Sequence, residues 1–254
     1  MQVKHHKCIV ISDVHLGTKN SGVKQLVRFL KNNSCETLIL NGDIIDGWQL
    51  KKSGKWRKKH SRFLKLIIKI LDTKNTRIIY IMGNHDDFLD EFLPFEFGRF
   101  LITRDYIYES AGKRFYICHG DIFDHITSQF RFIAHLGDMG YTLLLWLNRR
   151  INHRRQRKGL PYFSISQQIK HKVKQAVSFI SDFETTLCRL AETKKCQGVI
   201  CGHIHQPDNK FLNEIHYLNS GDWVESYTAL TEDFAGNWSI VRYAEWLTEN
   251  SVSV

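Results

Sequence analysis

Glu36-Thr37-Leu38-Ile39-Leu40-Asn41-Gly42-Asp43-Ile44-Ile45-Asp46 is an apolar run that stops abruptly at a glycine and two carboxylates. Residues 36–40 have the length and composition of a buried strand. A carboxylate just past the end of such a strand lies where open α/β sheets bind ligands. Gly42 lets the backbone turn tightly beside it. The same grammar recurs along the chain. Residues 7–11 lead into Asp13 and His15, and 77–82 into Gly83-Asn84-His85-Asp86-Asp87. Residues 114–118 lead into His119-Gly120-Asp121, and 197–201 into Gly202-His203-Ile204-His205. These repeats read as one site assembled from several strand ends, with Asp43 at its centre.

The pieces differ in weight. Asp13 and His15 are two apart and share a face of extended backbone, a spacing that a surface turn would also satisfy. Gly-Asn-His-Asp directly after a buried strand is more specific. Asn84 offers a neutral oxygen ligand, and His85 a proton donor or charge stabiliser. His203 and His205 form an H-x-H pair, a common ligand arrangement. Oxygen and imidazole without thiolate exclude a structural zinc–cysteine centre and suit Mn²⁺, Fe²⁺ or Zn²⁺. The candidates are too many for one ion. Two are expected, about 3.5–4 Å apart around a shared carboxylate, acting on a phosphoester.

The 254 residues, 43% hydrophobic and 24% charged, suit one large domain or a domain with a sizeable insertion. The formal net charge of +10 favours an anionic partner, although a basic enzyme without one has the same composition. The six cysteines form no CxxC pair, and Cys8, Cys118 and Cys201 lie in strand-like runs. That pattern predicts a reduced cytoplasmic protein. No apolar run is long enough for a signal peptide or a bilayer span.

Helices are expected over 23–30 and 63–71, and a hairpin around Ala111-Gly112. The basic stretch 51–60 reads as a loop near the Asp43 edge, within reach of a substrate phosphate. Residues 215–218, 227–232 and 238–243 read as antiparallel strands, with a loose end after about Glu245. Residues 139–181 contain no acidic side chain but carry Arg149, Arg150, Arg154, Arg155, Arg157, Lys158, Lys170, Lys172 and Lys174. Upstream, aromatic and aliphatic residues from Phe130 to Leu147 read as a helix pair. We expect residues 123–195 to form a helical cap inserted into a body of 1–122 and 196–254. Aromatics beside basic clusters suit an anionic lipid surface, and a hairpin packed on the body with a solvated basic turn fits equally. No nucleic-acid-binding module is recognisable, so no specific nucleic-acid partner is expected.

The order D-x-H, G-D-x-x-D, G-N-H-D, H-G-D, G-H-x-H resembles the calcineurin-like metallophosphoesterase superfamily across most of the chain outside the cap. The resemblance implies an α/β fold, a four-layer αββα sandwich. It implies one metal held by Asp13, His15, Asp43 and His205, and a second by Asp43, Asn84, His119 and His203. His85 takes the place of the family's catalytic histidine, with Asp86 to orient it; Asn84 and His85 also face substrate. Asp46-Gly47-Trp48, the helical insertion and Gly221-Asp222-Trp223 further resemble the UDP-2,3-diacylglucosamine diphosphatases of lipid A synthesis. Those are peripheral inner-membrane enzymes on the cytoplasmic face that use Mn²⁺ to release UMP and a lipid monophosphate. On that reading Arg154, Arg155, Arg157 and Lys170 contact an anionic nucleotide-diphosphate lipid. The departure is His85, where the best-studied diphosphatases have arginine. Two alternatives remain at this point: a phosphodiesterase or phosphomonoesterase of soluble nucleotides, and a non-catalytic scaffold that binds proteins or membranes.

Overall fold

The computed structural model describes residues 3–52, 54–73, 75–121, 155, 157 and 165–251, with only the backbone given for 165–178 and 251. The expectations for 122–154, Arg154 and the helix pair included, lie outside these residues. The chain divides into two compact units, 1–121 with 187–254, and 122–186.

The first unit is built on two β-sheets. The larger contains β1 (Lys4–Ile11), β2 (Asn33–Asn41), β3 (Arg77–Ile81), β4 (Phe95–Phe97), β5 (Phe100–Thr103), β11 (Thr228–Glu232) and β12 (Trp238–Arg242). Their order is β12-β11-β1-β2-β3-β5-β4. The smaller contains β6 (Asp105–Ser110), β7 (Lys113–Cys118), β8 (Gly198–Cys201), β9 (Asp208–Leu212) and β10 (Ile215–Asn219), in the order β6-β7-β8-β10-β9. β1, β2 and β3 run parallel to one another, and so do β7, β8 and β10. Candidate ligands follow the carboxyl ends of five of them, β1, β2, β3, β7 and β8.

Alternation along the strands separates two cores. Cys8 and Val10 of β1, with Ile39, Ile79 and Ile81, pack with Phe115, Ile117, Ile200 and Leu218 of the other sheet. The intervening Ile9, Ile11, Leu38, Leu40, Ile78 and Tyr80 face the helices α1 (Val23–Asn32) and α3 (Lys58–Thr73). These helices present Leu26, Phe29, Leu30, Phe63, Ile67 and Ile70 to the core, the 3.6-residue periodicity of a one-sided helix. In the smaller sheet the alternate residues Tyr116, Val199 and Tyr217 are buried too, so both faces are covered. The long helix α4 (Ile165–Thr193) buries Leu187 and Ala191 in its last turns, immediately before β8. The division between the two compact units falls inside α4. The architecture is the α/β sandwich that the strand-end pattern implied.

Three expectations are corrected. β10 joins the smaller sheet, parallel to β8 and antiparallel to β9, instead of pairing with the tail strands. The basic stretch is partly helical: its first two residues end α2 (Gly47–Lys52), and α3 begins at Lys58. The end after Glu245 is not loose but forms α5 (Tyr243–Ser251). Trp246 explains this, because its ring packs edge-on to Phe29 at 5.7 Å and beside Tyr243 at 5.6 Å in the helix-side core. The short strands β4, β5 and β9 went unread because three to five residues carry too little alternation to stand out.

Trp246→Ala should therefore lower stability by about 3–5 kcal/mol. Urea melts followed by circular dichroism will show the midpoint falling; an unchanged midpoint would mean that α5 is not part of the core.

Candidate metal centre

Loops from both sheets are tied together by backbone hydrogen bonds before any side chain is considered. Asp13 N donates to Gly42 O (3.0 Å), His15 N to Asp43 O (2.9 Å), Gly202 N to His119 O (3.0 Å) and Trp223 N to Asp13 O (3.1 Å). The turns are sharp. Asp13, His15, Asp43, His203 and His205 all have positive φ, between 49° and 69°. Such left-handed backbone costs about 1–3 kcal/mol per non-glycine residue and concentrates at functional sites. Glycine is required where loops touch. A Cβ on Gly42 would lie 2.3 Å from the His119 ring, and one on Gly83 2.5 Å from Asp43 Oδ1.

The side chains of Asp13, His15, Asp43, His119, His203 and His205 are brought together. Ligand atoms of Asp13, His15 and His205 lie within 4.8 Å of one another, as do those of Asp43, His119 and His203. Asp43 stands between the two groups, with Oδ1 3.4 Å from His119 Nε2 and Oδ2 3.7 Å from His15 Nε2. Asp13 Oδ1 is 3.0 Å from His205 Nε2.

Each carboxylate has one oxygen fixed by backbone and the other turned inward. Asp13 Oδ2 accepts from His203 N (3.0 Å), and Asp43 Oδ1 from His85 N (2.9 Å). The histidines are oriented in the same manner. His119 Nδ1 lies 2.9 Å from Asn41 O, which fixes the proton there and directs the Nε2 lone pair inward. His15 Nδ1 is 3.2 Å from Asp46 Oδ2. Asp13 Oδ1, Asp43 Oδ2, Asn84 Oδ1 and His119 Nε2 are buried without a hydrogen-bond partner. Buried polar atoms without partners cost free energy. Asp13, Asp43 and His119 bring oxygen and imidazole donors together from three of these loops, a donor set that fits divalent metal ions.

The electrostatics agree. Burial by itself would raise the pKa values of Asp13 and Asp43, but the surrounding histidines hold both carboxyls well below the usual range. Burial would lower that of His119, yet Asp43 and Asp13 raise it to about 10. A field that pulls a proton onto a buried imidazole also draws in a divalent cation.

Three further carboxylates lie in these loops. Asp86 does not face His85. Its buried carboxylate accepts from Ile45 N (2.8 Å), Ile44 N (3.2 Å), Gly83 N (3.3 Å) and Tyr80 OH (2.8 Å), and so pins the 83–86 turn to the loop after Asp43. Burial, reinforced by Asp43, pushes its pKa up to about 7. The carboxylate beside His85 is Asp46, whose Oδ1 lies 3.1 Å from His85 Nδ1. The D-x-x-D spacing was the signal for it. Burial opposes its ionisation, and hydrogen bonds with His15, His85 and Gln49 N more than compensate, holding it low. Asp222 accepts from Val224 N (2.7 Å) and Ser226 Oγ (2.7 Å) in its own turn, and its Oδ2 lies 4.0 Å from His205 Nδ1. Arg155 and Arg157 belong to the 122–186 unit, as does Lys170, whose side chain lies outside the described residues.

Two predictions follow from this geometry. Gly83→Ala should reduce bound metal per chain, measured by plasma emission after dialysis, while circular dichroism stays native. Full metal content would show that the 83–43 approach is not critical. Second, His119 holds a proton in the stripped protein up to about pH 10, and a ligand must lose it. Metal uptake at neutral pH should expel protons and affinity should rise with pH, as calorimetry in buffers of different ionisation enthalpy will show; uptake without proton release would contradict it.

The sequence profile described as calcineurin-like phosphoesterase matches residues 6–207. A UDP-2,3-diacylglucosamine hydrolase from Shewanella loihica is 23% identical over 232 residues, 87% of this chain and 90% of that protein. Among solved structures, the E. coli phosphoesterase Yfce is 14% identical with a TM-score of 0.46, covering 94% of this chain and 93% of its own. Vps29 from Entamoeba histolytica is 12% identical with a TM-score of 0.42, covering 92% and 98%. The profile spans most of the chain and every one of the convergent loops up to His205, and the chain belongs to the calcineurin-like phosphoesterase family, metal-dependent hydrolases of phosphoesters.

Proposed function

We propose that this hydrolase cleaves the pyrophosphate of UDP-2,3-diacylglucosamine, or of a similar nucleotide-linked lipid, to UMP and a lipid monophosphate. The single observation behind the reading is a pair of ligand groups, Asp13-His15-His205 and Asp43-His119-His203, with Asp43 Oδ2 3.7 Å from His15 Nε2, set at the ends of parallel strands from two sheets. The 23% identical relative named for that substrate supports it, as does the charge distribution. Segments 17–24 and 47–59 contain no carboxylate. Lys19, Lys24, Lys51, Lys52, Lys55, Arg57 and Lys58 are exposed on them, and Lys59 Nζ joins the segments by donating to Lys19 O (3.1 Å) and Ser21 O (2.7 Å). Such a surface beside the centre suits an anionic substrate at an anionic inner-membrane face. No helix among the described residues is long and apolar enough to cross a membrane. We place the protein in the cytoplasm, peripheral on that face, with 123–195 as a cap and Arg154, Arg155, Arg157 and Lys170 toward substrate.

In this proposal Asp13, His15, Asp43 and His205 hold one ion. Asp43, Asn84, His119 and His203 hold the other, with Mn²⁺ preferred over Fe or Zn. When bound, the ions supply positive charge for the phosphoryl oxygens and acidity to a water. The chain's own contributions are orientation and proton handling. Asp46 and Asn41 O fix the ring directions of His15 and His119. His85 presents Nε2 3.8 Å from Asp43 Oδ2, toward the reacting centre, where it stabilises developing charge or protonates the leaving oxygen. Asp86 sets the loop that carries Asn84 and His85.

Purified protein with Mn²⁺ should release UMP from UDP-2,3-diacylglucosamine. Absence of UMP with good turnover of a soluble diester would reject the lipid substrate and keep the chemistry. Asp43→Ala should lose both metals and essentially all activity. His85→Ala should keep its metal and slow kcat by roughly 10²–10⁴; a neutral His85→Ala would remove its role.

A further inference from the structure

We propose that Trp48 is a positioning residue for His85: a plate against which the imidazole is stacked, itself anchored by Asp87. The inference rests on the reading of His85 given above. The ring centroids of Trp48 and His85 are 4.4 Å apart, with planes inclined by 35°. The indole Nε1 donates to Asp87 Oδ2 at 3.0 Å, so the plate is held from the 3₁₀ segment Asn84–Phe92 that carries His85.

The remaining sides of the ring are also occupied. His15 meets it edge-on at 4.8 Å and 89°. Asp46 Oδ1 lies 3.1 Å from Nδ1, and the His85 backbone N donates to Asp43 Oδ1. The Nε2 edge is directed toward Asp43. The start of α2 sits close against the 3₁₀ segment for the same purpose. A Cβ on Gly47 would fall 2.7 Å from Phe88 Cδ1 and 3.0 Å from His85 O.

Trp48 is 47% exposed, so it contributes little to the hydrophobic core. What it does contribute is a fixed aromatic face. Tilted aromatic pairs at this distance favour one arrangement over a free rotor by roughly tenfold at most. A ring held in the productive rotamer for more of the time raises kcat without changing how substrate binds.

The test is a double-mutant cycle with bis-(p-nitrophenyl) phosphate and Mn²⁺, joined to an NMR measurement that needs no substrate. Trp48→Ala should lower kcat roughly tenfold at nearly constant KM and unchanged metal content, and Trp48→Phe should keep most of the rate. In a His85→Ala background, Trp48→Ala should cost nothing further. The His85 ring-proton resonances should lose their ring-current displacement in Trp48→Ala and retain much of it in Trp48→Phe. Equal losses in both backgrounds, or a loss carried by KM, would mean that Trp48 touches substrate directly and would overturn the inference. So would unmoved His85 resonances in Trp48→Ala, or full activity in Trp48→Ala while His85→Ala is slow. If His85→Ala alone is neutral, the earlier reading of His85 fails, visibly in that single variant, and this inference fails with it.

Discussion

Two carboxylates, Asp13 and Asp43, are fully buried with one oxygen apiece left without a hydrogen bond. Burying such charge without a counter-charge is among the most expensive things a fold can do. Much of the structure near them answers that cost. Histidines from four loops surround the pair, and the ring nitrogens turned away from it are directed by Asn41 O and Asp46. The residual imbalance is what a pair of divalent cations would remove. The strained backbone at five of these residues belongs to the same account. A stable fold tolerates left-handed aspartates and histidines only where something else is gained.

The two sheets make this arrangement possible. Parallel strands send their carboxyl ends to one edge, and packing the sheets face to face brings two such edges together. Asp13, Asp43 and Asn84 come from the larger sheet's loops, and His119, His203 and His205 from the smaller's. The sheets' shared core of Val10, Ile39, Ile117 and Ile200 lies just behind these loops, so the distance between the two ligand groups follows from ordinary apolar packing.

Around His85 the local detail carries functional meaning. Its neighbours divide the labour: Asp43 holds its backbone, Asp46 faces one ring nitrogen, and Trp48 covers one face. Asp86, next to it in sequence, serves the loop instead. Adjacency in the chain was a poor guide here because the turn after β3 sends consecutive side chains in different directions. Asp86 turns under the loop toward Tyr80 and the amides of Ile44 and Ile45.

The sequence alone determined the family pattern, the strands that end in Asp13, Asp43, Asn84, His119 and His203, and the helices over 23–30 and 63–71. It could do so because apolar periodicity and the abrupt change to Gly, His, Asn and Asp are local properties. It also marked Asp46 through D-x-x-D without revealing what it touches. Only the tertiary structure decided which sheet β10 enters, that α5 is anchored by Trp246, and that Asp46 and Trp48 rather than Asp86 flank His85. Those outcomes depend on contacts between residues far apart in the chain. Trp246 meets Phe29 and Asp46 meets His85 only after the sheets have packed. No pattern within a short window of sequence encodes which distant side chain will fill a given gap.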